Sequence, residues 1–205
     1  MNLDPKIWHI KRKGEKKGEK MAVFFVSDTH FGHRNILKYD NSPFETIEER
    51  DEKIIKNWNE RVEDRDVVYV LGDVSFLSAK KTKEVLQSLK GEKRLIIGNH
   101  DKVVLNNSSV SSEFSEIKPY AEISEENKRI VLCHYPILTY NGHFYGAVHL
   151  YGHVHATMEY TLIKRFQEEM EAEQCRKLSM FNVGVMLPYM NYGPRTLKEI
   201  LASNG

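Results

Sequence analysis

Apolar residues fall along this chain in two alternating patterns: short continuous runs, and longer stretches with helical spacing. Ala22-Val23-Phe24-Phe25-Val26 is a run of strand length, suited to a sheet covered on both faces. Thr46-Ile47-Glu48-Glu49 has capping-box spacing, and Ile47, Ile54, Ile55, Trp58 and Val62 then fall near one helical face. Residues 67–71 (VVYVL) form a second strand run. Ser78 is placed to cap a helix whose inward stripe is Ala79, Thr82, Val85, Leu86 and Leu89, with Gly91 as its stop. Residues 94–97 (RLII) make a third strand. This alternation predicts βαβ crossovers and a largely parallel sheet.

The second half reads differently. Residues 114–123 and Lys128–Cys133 have strand character and are separated by Glu125-Glu126-Asn127, which predicts a hairpin. Val148–Tyr151, 160–166 and 180–185 read as further strands, and 167–176 (QEEMEAEQCR) as a short helix or an excursion between strands. At the start, residues 6–10 suit an edge strand followed by the charged loop KRKGEKKGEK; alternatively residues 1–20 are a basic N-terminal extension. Residues 21–205 then form a single domain.

Composition narrows the classes only slightly. The chain is 40% hydrophobic and 29% charged, and 30 basic against 29 acidic residues leave no molecule-wide field for nucleic acid or membrane. A nucleic-acid case must rest on the basic arm. Two cysteines in unlike surroundings, Cys133 and Cys175, predict no disulfide framework and a cytoplasmic setting. No stretch is long and apolar enough for a membrane span, and the polar, basic N-terminus lacks a signal core.

The chemistry sits at the ends of the strand runs. Asp28-Thr29-His30 follows the first, Gly72-Asp73 the second, Gly98-Asn99-His100-Asp101 the third, while Cys133-His134 and Gly152-His153-Val154-His155 close two later ones. Ligand sites of open α/β sheets lie beyond the carboxyl ends of the strands, so the first three patches are expected on one rim. Asp28 and His30, like His153 and His155, are two apart, which in extended chain puts both side chains on one side. Carboxylate, amide oxygen and imidazole together suit borderline divalent ions such as Mn, Fe or Zn better than a thiolate zinc site. Seven candidate ligands are too many for one tetrahedral ion, and suit two ions bridged by a shared carboxylate.

The ordered set of these five blocks resembles the calcineurin-like metallophosphoesterase superfamily, in the form of its small stand-alone bacterial or phage phosphoesterases. The resemblance implies an α/β sandwich of two mixed sheets flanked by helices. It implies that Asp28, His30 and His155 bind a first metal, that Asn99, His134 and His153 bind a second, and that Asp73 bridges both. Mn is the expected ion, with Fe, Zn, Ni or Co as alternatives. His100 matches the catalytic histidine beside the leaving-group oxygen, and Asp101 either orients it or shapes the turn. Two ions about 3.5–4 Å apart lower the pKa of a bridging water and clamp phosphoryl oxygens, and an imidazole tuned near neutrality protonates the departing oxygen.

Outside the motif, His33, Arg34 and Asn35 either meet a substrate phosphate, for which Arg34 is suited, or open a helix through Ile36 and Leu37. Residues 141–146 read as a rim loop, with His143 a candidate substrate contact. His149, inside a strand, is expected to be structural, and Cys133 a small buried hydrophobe. The Asp-Arg-Gly element of serine/threonine phosphoprotein phosphatases is replaced by Val74-Ser75-Phe76-Leu77, which points away from that subclass. The expected activity is hydrolysis of a phosphodiester or phosphomonoester. The alternatives are a nuclease holding single-stranded nucleic acid with its basic arm, and a non-catalytic protein-binding scaffold.

Overall fold

The computed structural model describes residues 21–174 and 177–203. The basic extension with its possible edge strand, and Cys175, lie outside them. The described residues open with β1 (Val23–Val26), α1 (Ile36–Tyr39), α2 (Ile47–Arg61), β2 (Val67–Val70), α3 (Ala79–Ser88) and β3 (Glu92–Ile96). Thr46 and Ser78 start α2 and α3 as their positions predict, accepting from the Glu49 and Lys81 N–H groups. Then come α4 (Lys102–Leu105), α5 (Ser108–Ser111), β4 (Glu116–Lys118), β5 (Tyr120–Glu125), β6 (Lys128–Cys133) and β7 (Val148–Tyr151). The chain ends with α6 (Met158–Gln174), β8 (Met180–Asn182), β9 (Arg195–Thr196) and α7 (Leu197–Ser203).

The strands form two mixed sheets flanked by helices. The first has the order β4-β3-β2-β1-β9, parallel except for β9; the second has the order β5-β6-β7-β8, parallel except for β5. Alternation along each strand divides the core. Val23, Phe25, Val67, Tyr69 and Leu71 meet Ile130, Leu132, Val148 and Leu150 between the sheets. Phe24, Val26, Val68 and Val70 face outward onto Ile54, Trp58 and Leu86 of α2 and α3. Behind the second sheet, Val131, Tyr151 and Met180 pack against Ile163 of α6. The β5–β6 hairpin turns at Glu126 and Asn127, with φ of 49° and 60°, the doubly left-handed turn that matches strand twist.

Three expected strands are corrected. Residues 114–123 are two strands in different sheets, because Pro119, which has no N–H to donate, separates β4 from β5 where the chain changes sheet. Residues 160–166 lie inside α6. Their β-branched and aromatic residues suggest a strand, but Tyr160, Ile163, Phe166 and Met170 pack against the second sheet at helical spacing. Topology requires the same answer, since β7 and β8 are parallel neighbours and need a long crossover between them. The strand expected over 180–185 stops at Asn182. Beyond it Val183 and Val185 bond Ser27 (Ser27 N–H to Val183 O 2.8 Å, Val185 N–H to Ser27 O 3.1 Å), which pins the rim of the second sheet to the end of β1.

Candidate metal centre

That pinning brings five strand ends together. Asp28 and His30 follow β1, Asp73 follows β2, Asn99 and His100 follow β3, His134 follows β6, and His153 and His155 follow β7. The backbones interlock: Asp28 N–H donates to Gly72 O (3.1 Å), His30 N–H to Asp73 O (2.9 Å) and Gly152 N–H to His134 O (2.9 Å). The extended spacing expected of Asp28 and His30 and of His153 and His155 is not what aims the side chains. Asp28, His30, Asp73, His153 and His155 all have left-handed backbones, with φ of 56°, 46°, 55°, 71° and 47°. Non-glycine residues hold that conformation at a cost, which the surrounding bonds offset, and such residues cluster at functional sites. Gly152 is required by close approach, because a Cβ there would lie 2.5 Å from the Asp28 carboxylate and from the Ser27 hydroxyl oxygen.

The side chains converge as two triads. Asp28, His30 and His155 form one; Asp73, His134 and His153 form the other; within each, three ligand atoms lie within 4.8 Å of one another. In the first, His30 Nε2 is 3.1 Å from His155 Nε2, and the two are 3.7 and 3.8 Å from Asp28 Oδ1. In the second, His134 Nε2 is 2.9 Å from Asn99 Oδ1 and 3.5 Å from Asp73 Oδ2. Asp73 Oδ2 is also 3.8 Å from His30 Nε2, so it lies between the triads.

Hydrogen bonding behind the rings shows what these atoms want. His134 Nδ1 is 2.7 Å from Leu71 O, which only accepts, so Nδ1 carries a proton and Nε2 is the ring nitrogen turned to the site. His155 Nδ1 likewise donates to Asp40 Oδ1 at 2.8 Å. The Nε2 atoms of these rings thus face the carboxylates of the triads and, at His134, the Asn99 amide oxygen, a donor set that a positive ion would satisfy. Burial pushes the His30 imidazole down to about 2 and lowers His153 as well, so neither ring takes a proton near neutral pH. Burial also raises the Asp28 carboxyl. At His155 burial pulls the other way, but the bond to Asp40 and the charge of Asp28 carry it above its ordinary value. Carboxylates and neutral imidazoles with an amide oxygen fit divalent metal ions of borderline softness.

Supporting residues invisible in the motif surround the triads. Asp40 is one, and its carboxylate completes a carboxylate–histidine arrangement behind a candidate ligand. Arg50, fully buried on α2, donates to Thr29 O (2.7 Å) and Asp28 O (3.5 Å) and holds the first ligand loop from behind. Its neighbour Asp51 accepts from Gly32 N–H at 2.7 Å, and burial raises its carboxyl to about 6. Ser27 donates to Asp28 Oδ2 (2.6 Å), and Asn182 donates to His155 O (3.3 Å). The only sequence signal for these is a polar type on an otherwise inward face, which Arg50 shows within α2.

The remaining expected residues separate by location. The Asp101 carboxylate accepts from Gly98 (2.7 Å), Val74 (2.9 Å) and Asp73 (3.2 Å) backbone N–H groups. It therefore braces the backbone of the turns bearing Asp73 and Asn99. His100 is exposed at the rim; its N–H holds Asp73 Oδ1 at 2.8 Å, and its ring is 6.1 Å from that of His30. His33 stacks on Phe76 and is 5.6 Å from His30, whereas Arg34 points into solvent beside Glu48 at 3.8 Å. These residues lead into α1. His143 forms its ring contacts with Tyr140 and Phe144 of its own loop. Buried His149 donates from Nδ1 to Val131 O (3.1 Å) and accepts at Nε2 from Ile137 N–H (2.9 Å), tying β6 and β7 to the turn beyond His134. Cys133 is free and half-buried.

The chain is similar to several known proteins. A protein of Methanocaldococcus jannaschii, itself uncharacterized, is 36% identical over 183 residues, covering 87% of this chain and 89% of that one. The gene 66 protein of Mycobacterium phage L5 is 38% identical over 82 residues, 38% of this chain and 39% of its own. A crystal structure of an Aquifex aeolicus protein of unknown function superimposes with a TM-score of 0.68 at 27% identity, covering 90% of this chain and all of that one. The family model for the calcineurin-like phosphoesterase superfamily domain matches residues 21–198. The chain belongs to the calcineurin-like phosphoesterase superfamily.

Proposed function

We propose that this protein hydrolyses phosphodiesters or phosphomonoesters with two divalent metal ions, Mn being the first to test. Asp28, His30 and His155 hold one ion; Asn99, His134 and His153 hold the other; Asp73 serves both. The observation that carries the reading is the placement of Asp73 Oδ2, 3.8 Å from a nitrogen of one triad and 3.5 Å from a nitrogen of the other. Its second oxygen is occupied by the His100 N–H, which leaves Oδ2 to face the cations.

Divalent ions so held supply Lewis acidity, acidifying water and neutralising phosphoryl oxygen charge. The protein's own residues do the rest. Leu71 O and Asp40 hold the His134 and His155 rings so that each presents Nε2 to the site. Asp101 fixes the two turns that carry Asp73 and Asn99. His100, on the solvent side of the rim, holds the proton that the leaving oxygen needs. His33 lies on the same side for a substrate phosphate, and the solvent-facing Arg34 and the half-buried His143 are outer contacts for larger esters.

A hydrolysis screen of bis-p-nitrophenyl phosphate, monoesters, cyclic nucleotides and oligonucleotides with Mn, Ni, Zn and Mg tests this directly. Asp73→Ala is expected to remove both metal occupancy and turnover, and undiminished turnover by that variant overturns the two-ion reading. His100→Ala is expected to keep its metal while losing about 10²–10⁴-fold in rate. The loss should shrink for a good leaving group such as nitrophenolate; equal losses for good and poor leaving groups rule out the proton-donor role.

A further inference from the structure

We infer that Phe76 is a stacking platform for a flat aromatic group carried by the phosphate ester, so that aromatic phosphate esters, nucleotides among them, are the preferred substrates. The inference rests on the phosphoesterase reading of the site and names the substrate class. Phe76 lies three residues beyond Asp73, in a segment otherwise given to packing: Val74 and Ser75 are buried, as is Phe31 beside them. Its backbone is fixed. Phe76 N–H donates to Phe31 O (2.9 Å), Ser75 Oγ accepts from Leu77 N–H (3.1 Å) and pairs with Thr82 Oγ1 (2.9 Å). The Leu77 side chain fills the space beside Gly32 that a Cβ would occupy. From this rigid base the ring is nevertheless left 42% exposed.

The ring's neighbours are the site's histidines. It stacks on His33 with centroids 4.1 Å apart and planes at 13°, and it lies 5.0 Å from His100 and 5.5 Å from His30. Tyr39, 68% exposed and 6.1 Å from His33, continues the aromatic surface outward. An apolar ring held rigidly half in water contributes little to folding, but it is preorganised to cover a planar group whose phosphate sits at the triads. Bases stack on aromatic side chains irrespective of their identity, because each presents a π-face. A nucleobase and a simple aryl ring share this chemistry.

The test is calorimetric binding of AMP, phenyl phosphate and ribose 5-phosphate to the full chain loaded with Mn. AMP is expected to bind more tightly than ribose 5-phosphate. Phe76→Ala should weaken AMP about 5- to 100-fold and leave ribose 5-phosphate unchanged, while Phe76→Trp retains the AMP affinity. Circular dichroism confirms that both variants are folded, and Phe76→Trp provides the reading if Phe76→Ala is not. Equal affinities for AMP and ribose 5-phosphate in the native protein, or equal weakening of both by Phe76→Ala, overturn the platform. A Phe76-dependent gain shared by phenyl phosphate assigns the surface to any aryl group; a gain for AMP alone assigns it to the base. Loss of all metal-dependent turnover with this binding pattern intact overturns the hydrolytic reading and leaves the platform standing.

Discussion

The ring of His155 is oriented by Asp40, a residue 115 positions earlier in the chain, through a 2.8 Å bond. A carboxylate behind a histidine ligand fixes its tautomer and raises its basicity, and losing such a partner costs about 10–100-fold in metal affinity. Asp40→Ala is therefore expected to weaken the first ion by that factor, read as a shifted Mn titration in calorimetry; an unshifted titration would remove Asp40 from the site. At this scale, legibility divides by residue type. Asp28, His30, Asp73, Asn99, His134, His153 and His155 are conspicuous because oxygen and imidazole donors beside glycines are rarely needed for packing. Asp40 and Arg50 are inconspicuous, since a carboxylate at a helix end or an arginine within α2 is ordinary until its long-range partner is known.

Elements place these residues by ending where they do. Each ligand stands one to four residues past a strand, and the turns pack so closely that a methyl group does not fit at Gly152. Gly152→Ala is expected to displace the Asp28 carboxylate and abolish binding of the first ion while far-ultraviolet circular dichroism stays native. Retained binding of both ions would show that the contact relaxes at little cost. The hairpin at Glu126-Asn127 and the alternating first half were legible because their signals are local. Residues 160–166 favour strand by composition, while the packing partner that sets their period lies elsewhere: Val131, Tyr151 and Met180 of the second sheet define the buried stripe of α6. Ile163→Ala should cost about 2–5 kcal/mol in urea unfolding, as for deletion of a buried aliphatic side chain. A cost near zero would mean that α6 is not packed there.

Across the whole molecule, two stability measurements follow. His149 is buried without charge, with its pKa lowered to about 4 from 6.5. Between these values the unfolded chain binds a proton that the folded one refuses, so stability rises with pH across this window and is lost as pH falls through it. From pH 7 to pH 5 this one residue accounts for about 2 kcal/mol of lost stability. His149→Phe should have a shallower decline than the native protein over that range, and parallel curves would contradict the assignment. Metal acts oppositely: an ion bound only by the folded state at 100 times its dissociation constant adds about 2.7 kcal/mol. Mn should thus raise the Tm by roughly 5–10 °C, chelation should reverse the rise, and Asp73→Ala should show no rise. An Mn-insensitive native Tm would argue that the triads do not hold the ion.

What the sequence determined by itself was the donor chemistry and its order, because residue identity sets which ions an atom can bind and five spaced blocks leave little room for coincidence. It also determined the parallel start of the first sheet, because alternating strand and helix periods are local. Only the tertiary structure decided how the blocks meet. Ser27 bridges the second sheet's rim to β1, left-handed turns rather than extended chain aim five of the ligands, Arg50 holds the first ligand loop and Asp40 holds the ring of His155. Those are long-range bonds and backbone angles imposed by packing, and no local pattern of residues encodes either one.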